Sequence, residues 1–157
     1  MKFSSREDLE AEAPFIFDQL TDFSGFEHMA RRRGVQSKRL DALQEIGPGM
    51  SWDIGFRFRG KPRTLILDLT RYERPECLEF TGESGSFNLV ATMTVVALSP
   101  KRCRIIAELE LRPRSLGARL MLQSARLGKG ALTRKFAERV QLLARELEAR
   151  AQKARPV

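Results

Sequence analysis

A chain of 157 residues, 42% hydrophobic and 31% charged, is long enough to bury one substantial core. It holds no apolar run near the ~20 residues that a bilayer-spanning helix needs, so a soluble single domain is expected. The net charge of +8 is lopsided, because residues 115–157 hold ten of the 28 Lys/Arg but three of the 20 Asp/Glu, and such a field attracts polyanions.

The opening segment MKFSSREDLEAEAP mixes apolar, polar and acidic residues. It has neither the apolar core of a secretory signal nor the acid-poor character of a transit peptide, and a cytoplasmic protein is expected. Weak alternation over residues 2–11 predicts a first strand. Pro14 then opens a short helix that carries Phe15, Ile16, Phe17 and Leu20 and ends near Thr21-Asp22. Ser24 is placed to cap a second short helix with Phe26, Met29 and Ala30, closed by Arg31-Arg32-Arg33 and Gly34.

From Val35 to Arg112 the period becomes two. Trp52, Ile54, Phe56 and Phe58 share one parity, and Asp53, Gly55, Arg57 and Arg59 take the other. The stretch Gly55 to Pro62, GFRFRGKP, matches most of the phosphate-binding pattern G-x-x-x-x-G-K-[ST]. A phosphate cradle needs small flexible residues between its glycines and a hydroxyl after the lysine, whereas this stretch has Phe-Arg-Phe-Arg and Pro62. It reads as a strand followed by a hairpin turn at Gly60-Lys61. Further alternating runs carry Leu65, Leu67 and Leu69, then Leu78 and Phe80, then Phe87, Leu89, Ala91, Met93 and Val95, then Cys103, Ile105, Ala107, Leu109 and Leu111. Turn signals separate them at Gly47-Pro48-Gly49, Arg74-Pro75-Glu76, Ser84-Gly85-Ser86 and Ser99-Pro100-Lys101, so one antiparallel sheet with a single oily face is predicted. Cys77 and Cys103 stand far apart with no Cys-x-x-Cys, and no structural disulfide is expected.

Ser115 can cap a long helix running to about Ala151, with Leu116, Leu120, Leu127, Phe136, Val140, Leu143 and Leu147 at three- and four-residue steps. Gly128 and Gly130 each disfavour helix by about 1 kcal/mol against alanine and together predict a bend. Nothing else in the chain is long enough to cover the oily face. Residues 1–151 therefore read as a single α+β domain and 152–157 as a frayed tail.

The order strand, two short helices, six strands, long helix resembles the helix-grip fold of the START-like, or SRPBCC, superfamily over essentially the whole chain. Ala13-Pro14, Thr21-Asp22-Phe23, Gly47-Pro48-Gly49-Met50 and Leu98-Ser99-Pro100 carry the likeness at the level of fold. The superfamily includes polyketide cyclases, pollen-allergen-type carriers and lipid-transfer domains. The resemblance implies a curved antiparallel sheet of about seven strands wrapped around the C-terminal helix, with a cavity between them that holds an apolar molecule.

Several residues can be set against that implication. Trp52, Phe56 and Phe58 are large for simple packing, Phe80 and Phe87 add rings, and Ala125, Gly128 and Gly130 leave the helix thin. The expected cavity residues are Phe26 on the second helix, Trp52, Ile54, Phe56 and Phe58 on one strand, and Leu67 and Leu69 on the next. Phe80, Phe87, Leu89 and Met93 follow, with Leu120, Ser124 and Leu127 from the long helix. Gln123, Tyr72, Asn88 and Thr92 are further polar candidates for orienting a ligand. These residues could equally fill the space as core.

Catalytic chemistry has little to rest on. His28 is the sole histidine, and no catalytic set, metal-ligand spacing or cofactor motif can be named. Three readings follow. The chain binds a small hydrophobic molecule such as a fatty acyl, isoprenoid or polyketide-like compound; this reading leads. It acts as a cyclase- or aromatase-type enzyme in the same cavity. Or its basic helix, with Arg119, Arg126, Lys129, Arg134, Lys135 and Arg139, docks on RNA, a ribosome or an anionic membrane.

Overall fold

The computed structural model describes residues 1–155. Seven strands form one antiparallel sheet: β1 (Lys2–Leu9), β2 (Gln36–Arg39), β3 (Ser51–Phe58), β4 (Lys61–Glu73), β5 (Cys77–Glu83), β6 (Phe87–Ser99) and β7 (Arg102–Pro113). Their order across the sheet is β1-β7-β6-β5-β4-β3-β2, so every neighbour but the β1–β7 pair is a sequential hairpin partner. Four helices accompany it: α1 (Ala13–Leu20), α2 (Phe23–Arg32), α3 (Leu116–Ala125) and α4 (Lys129–Ala154). The expected α+β architecture is present, including the two short helices after strand one.

The hairpin between β3 and β4 settles the Gly55–Pro62 segment. Phe58 pairs with Lys61, and Arg59 and Gly60 take φ of 52° and 73°, the left-handed pair of a two-residue type I′ turn. Gly55 lies between Gln36 of β2 and Thr64 of β4, so its backbone belongs to the sheet and not to a phosphate loop.

The core forms where the helices meet the concave face. Ile16 and Phe17 of α1 and Ala144 and Leu147 of α4 are fully buried with Leu9, Leu69, Leu78 and Ile105 of the sheet. Val140, Ala144, Leu147 and Ala151 make the buried stripe of α4 at three- and four-residue steps. Small residues at 144 and 151 let that helix approach closely. Cys77 and Cys103 are buried free thiols on strands separated by β6. Burial pushes the Cys103 thiol up to about 11.

Three features differ from the expectation. The C-terminal helix is divided and not merely bent: the break is a 3-10 turn at Arg126–Gly128, which takes in Gly128 of the glycine pair and separates α3 from α4, and α4 runs on to Ala154. The remainder of the expected tail includes Pro156 and Val157, which lie outside the described residues. Nor does this helix cover the oily face alone. α4 packs chiefly along β1, α1 lies against β6 and β7, and α2 closes the β2 edge. The simple alternation in β4 also breaks, because a bulge between Leu69 and Arg71 turns Tyr72 toward Leu78 and Phe17.

Gly82 is a close-approach glycine. It pairs with Leu67 on one side and Leu89 on the other, and a Cβ there would lie 2.6 Å from Leu89 Cγ and 3.0 Å from Leu65 Cδ1. Gly82→Ala is expected to lower the unfolding free energy by about 1–3 kcal/mol through overpacking, measured by urea denaturation. An unchanged midpoint would mean that both leucines rotate away freely.

Candidate functional site

The second helix builds the site. Asp22 caps α2 by accepting the Gly25 N–H at 3.1 Å, which corrects the expected cap at Ser24. Glycine at 25 suits this cap, since a Cβ would stand 2.2 Å from Asp22 Oδ2. The helix so started presents Phe23, Phe26, Glu27 and Ala30, at i, i+3, i+4 and i+7, toward the sheet. Between this face and the strands lies a cavity of about 330 Å3.

The opposite wall comes from four strands. Trp52 and Ile54 of β3, Leu67 of β4, Leu78 and Phe80 of β5 and Met93 of β6 line it, with Val35 and Ser37 at the β2 edge. Leu20 of α1 and Leu143 of α4 close the inner end. Glu27 and Ser37 are the only lining residues with polar side chains that can address a ligand, apart from the indole N–H of Trp52.

Trp52 organises the wall. It is 4% exposed, its Nε1–H donates to Glu27 Oε1 at 2.7 Å, and the Phe23 ring meets it edge-on at 5.1 Å. Phe80 completes the cluster at 6.0 Å from Phe23 and 6.2 Å from Trp52, distances suited to tilted and edge-to-face aromatic contact. The Arg39 guanidinium lies 5.5 Å from the Trp52 ring centroid. Asp41 holds that guanidinium in a fork, accepting from Nε at 2.8 Å and Nη2 at 2.6 Å, and also accepts the backbone N–H of Ser51 at 2.8 Å. The hydrogen bonds from Arg39 hold the Asp41 carboxyl well below the usual carboxylate range, aided by the N–H groups of Ser51 and Leu43.

Of the residues singled out in the sequence, Phe26, Trp52, Ile54, Leu67, Phe80 and Met93 stand together on this wall. Leu69 is buried core, not wall. Phe56 and Phe58 lie further along β3 toward the hairpin, beyond the helical cover, and Phe58 is 48% exposed. Phe87 and Leu89 sit half-buried at the same end of β6, outside the lining. Leu120, Ser124 and Leu127 are exposed, because α3 turns its Ala118 side to the protein and this leucine face to solvent. Gly128 and Gly130 are exposed as well and thin nothing that faces the rings.

The other polar candidates also fall elsewhere. His28, Gln123 and Asn88 are exposed, Thr92 is outside the lining, and Tyr72 packs its ring 5.6 Å from Phe17. Among the described residues no group of three or more His, Cys, Asp or Glu is placed to hold a metal. Leu20, Phe23, Glu27, Ala30, Val35, Ser37, Leu78 and Leu143 also line the cavity, beyond the residues that the sequence marks for it. Glu27 had a signal: a lone carboxylate within the otherwise apolar 23/26/30 stripe of a short helix.

Solved structures resemble this chain closely in shape. The Zhui aromatase/cyclase from Streptomyces sp. R1128 matches with a TM-score of 0.70 at 14% identity, covering 100% of this chain and 99% of that one. A START superfamily protein from Mycobacterium smegmatis matches at 0.64 with 14% identity, covering 98% and 99%. The fold is START-like.

Norcoclaurine synthase from Thalictrum flavum, solved in complex with dopamine and hydroxybenzaldehyde, shares this START-like fold with a TM-score of 0.63 at 11% identity, covering 100% of this chain and 89% of that one. At such identities the likeness concerns the fold alone. No protein-family model matches the chain, and no curated protein sequence does. Within the START-like frame the cavity is therefore defined by this chain's own side chains: an aromatic and aliphatic wall with one carboxylate set into it. No helix among the described residues is long and apolar enough to cross a membrane.

Proposed function

We propose that the chain binds a small hydrophobic molecule in this cavity and that the molecule carries a hydrogen-bond donor, a hydroxyl or phenol, directed at Glu27. The observation that carries this reading is the contrast between the wall and its single carboxylate. Trp52 satisfies Oε1 of Glu27 and fixes the side chain in place. A donor on the ligand would complete a charge-assisted hydrogen bond in an otherwise apolar space, where such bonds are strongest. The volume of about 330 Å3 lies at the small end of ligand sites, which run from about 300 to 1,000 Å3. It suits one small ring system or a short isoprenoid and not a two-chain lipid. A free fatty acid is disfavoured, since its carboxylate would face that of Glu27.

Trp52 is the only tryptophan, so its emission reports on the cavity. Geraniol, a short isoprenoid alcohol, is expected to shift that emission saturably, and geranic acid to bind at least about tenfold more weakly through carboxylate repulsion. In Glu27→Gln the affinity for geraniol should fall about fivefold, as a charge-assisted hydrogen bond becomes a neutral one, and the discrimination against the acid should vanish. Equal binding of alcohol and acid to the unmodified protein would sink the assignment of Glu27.

The same carboxylate supports a second reading, in which the cavity performs a cyclisation. Glu27 would take a proton from a carbon beside a carbonyl; that carbon would then attack a second carbonyl carbon of the same ligand, whose C=O π bond opens to an alkoxide, and Glu27 would return the proton to that oxygen. The START-like neighbours include an aromatase/cyclase, which is the kind of chemistry such a site would serve. Glu27→Gln would then abolish turnover of a poly-β-ketone substrate while binding changes only about fivefold. Turnover retained in that variant would remove this reading and leave the binding one standing.

A further inference from the structure

The topology gathers one kind of surface at one end of the sheet. The β3–β4 hairpin tip at Arg59-Gly60, the β5–β6 turn, the end of β7 at Pro113 and the start of β1 all lie at this end, as the strand registers show. α3 begins here, capped by Ser115, and packs over Met1 and Pro113. Arg114 ties its start to the β5–β6 turn through a backbone hydrogen bond to Ser86 O at 2.8 Å.

Two properties coincide on this end. From Ser115 to Ala137 the chain has five cations, Arg119, Arg126, Lys129, Arg134 and Lys135, and no carboxylate. Arg57, Arg59 and Lys61 add three exposed cations at the hairpin. The nearby Glu83 and Glu110 are already paired with Arg114 and Arg112. Among these cations stand large apolar side chains turned to solvent: Leu116 is 73% exposed, Leu120 57% and Leu127 94%, with Phe58 at the hairpin tip. Leu116, Arg119, Leu120 and Gln123 share the solvent face of α3, opposite the buried Ala118.

We propose that this end of the molecule, the solvent face of α3 with the β3–β4 hairpin, docks on an anionic phospholipid surface. A lipid interface is the partner that takes both components, leucines into the acyl boundary and guanidinium and ammonium groups onto lipid phosphates. A single-stranded nucleic acid would engage the cations but leave the leucines unused, since its bases stack on rings. A second copy of the chain meeting this face symmetrically would set cation against cation. The inference stands on this surface alone and is independent of what the cavity holds.

The test is flotation of the full chain with vesicles of equimolar phosphatidylcholine and phosphatidylglycerol, and with phosphatidylcholine alone. The protein is expected to float with the anionic vesicles only and to be released by salt. Leu116→Ser/Leu120→Ser/Leu127→Ser should lose at least about tenfold in partition, and Arg119→Gln/Arg126→Gln about fivefold per charge. All five positions are exposed, and unchanged circular dichroism confirms that the variants fold. No flotation with anionic vesicles at low salt would overturn the proposal. So would undiminished flotation of the triple leucine variant, or tighter binding to single-stranded RNA than to vesicles with no effect of the leucine substitutions; the last would assign the face to nucleic acid.

Discussion

Ala30→Phe is expected to abolish ligand binding in the cavity without weakening the fold. Ala30 is the last wall residue of α2, half-buried, with its carbonyl accepting the Val35 N–H at 2.9 Å beside the cavity that both residues and Trp52 line. A phenyl ring there occupies room that the ligand needs, and a ligand forced in beside it would meet overpacking of about 3 kcal/mol, close to a hundredfold in affinity. The apo protein gains instead, because the ring fills unoccupied apolar volume, and stabilisation of about 0.5–2 kcal/mol is expected. Geraniol titration followed by Trp52 emission and urea denaturation read the two effects separately. Binding preserved in a variant that folds normally would place the ligand somewhere other than this cavity.

Trp52→Ala should produce the largest loss of stability, about 3–5 kcal/mol. The indole is nearly fully buried, touches Phe23 and Phe80 in the aromatic cluster, lies under Arg39 and donates to Glu27. Its removal deletes two of the contacts that hold α2 on the strands, the ring contact with Phe23 and the hydrogen bond to Glu27, and leaves the carboxylate of Glu27 without its donor. Trp52→Phe separates these effects: most of the ring contact remains, but the N–H is gone, and about 1–3 kcal/mol is expected from the unpaired carboxylate alone. Circular dichroism is the readout, since both variants lose the only tryptophan. A loss under about 1 kcal/mol in Trp52→Ala would show that α2 is held by its own connections and not by the ring cluster.

The opposite fates of two leucine stripes show how far sequence reasoning reaches. Leu143 and Leu147 of α4 and Leu116, Leu120 and Leu127 further upstream share the same three- and four-residue spacing, and both stripes read as core. The first packs inward, with Leu143 on the cavity and Leu147 buried; the second faces solvent. Periodicity shows that a helix has an apolar face, but not whether a sheet lies opposite it. The concave face at that end is simply not beneath α3, whose inward side is Ala118, and the same gap in cover leaves Phe58 exposed. The helix cap is a smaller case. Asp22 and Ser24 are both good capping residues, and the exit of the chain from α1 selects Asp22.

What the sequence determined by itself is the set of elements and the hairpin pairing of strands that follow one another in the chain. Strand parity at Trp52, Ile54 and Phe56, the turn glycines at 34 and 60, both with positive φ, and the capping Ser115 are encoded by contacts within a few residues, so they can be read locally. The likeness to the START-like fold follows from their order. The cavity could only be decided in three dimensions, because its wall draws residues from α1, α2, α4 and five strands. Its existence depends on a mismatch in volume between a short helix and a curved sheet. Glu27 acquires its place by the same route: on α2 it is one charged residue in an apolar stripe, and it becomes a candidate ligand anchor when the indole of Trp52, distant in the chain, fixes it at the cavity wall.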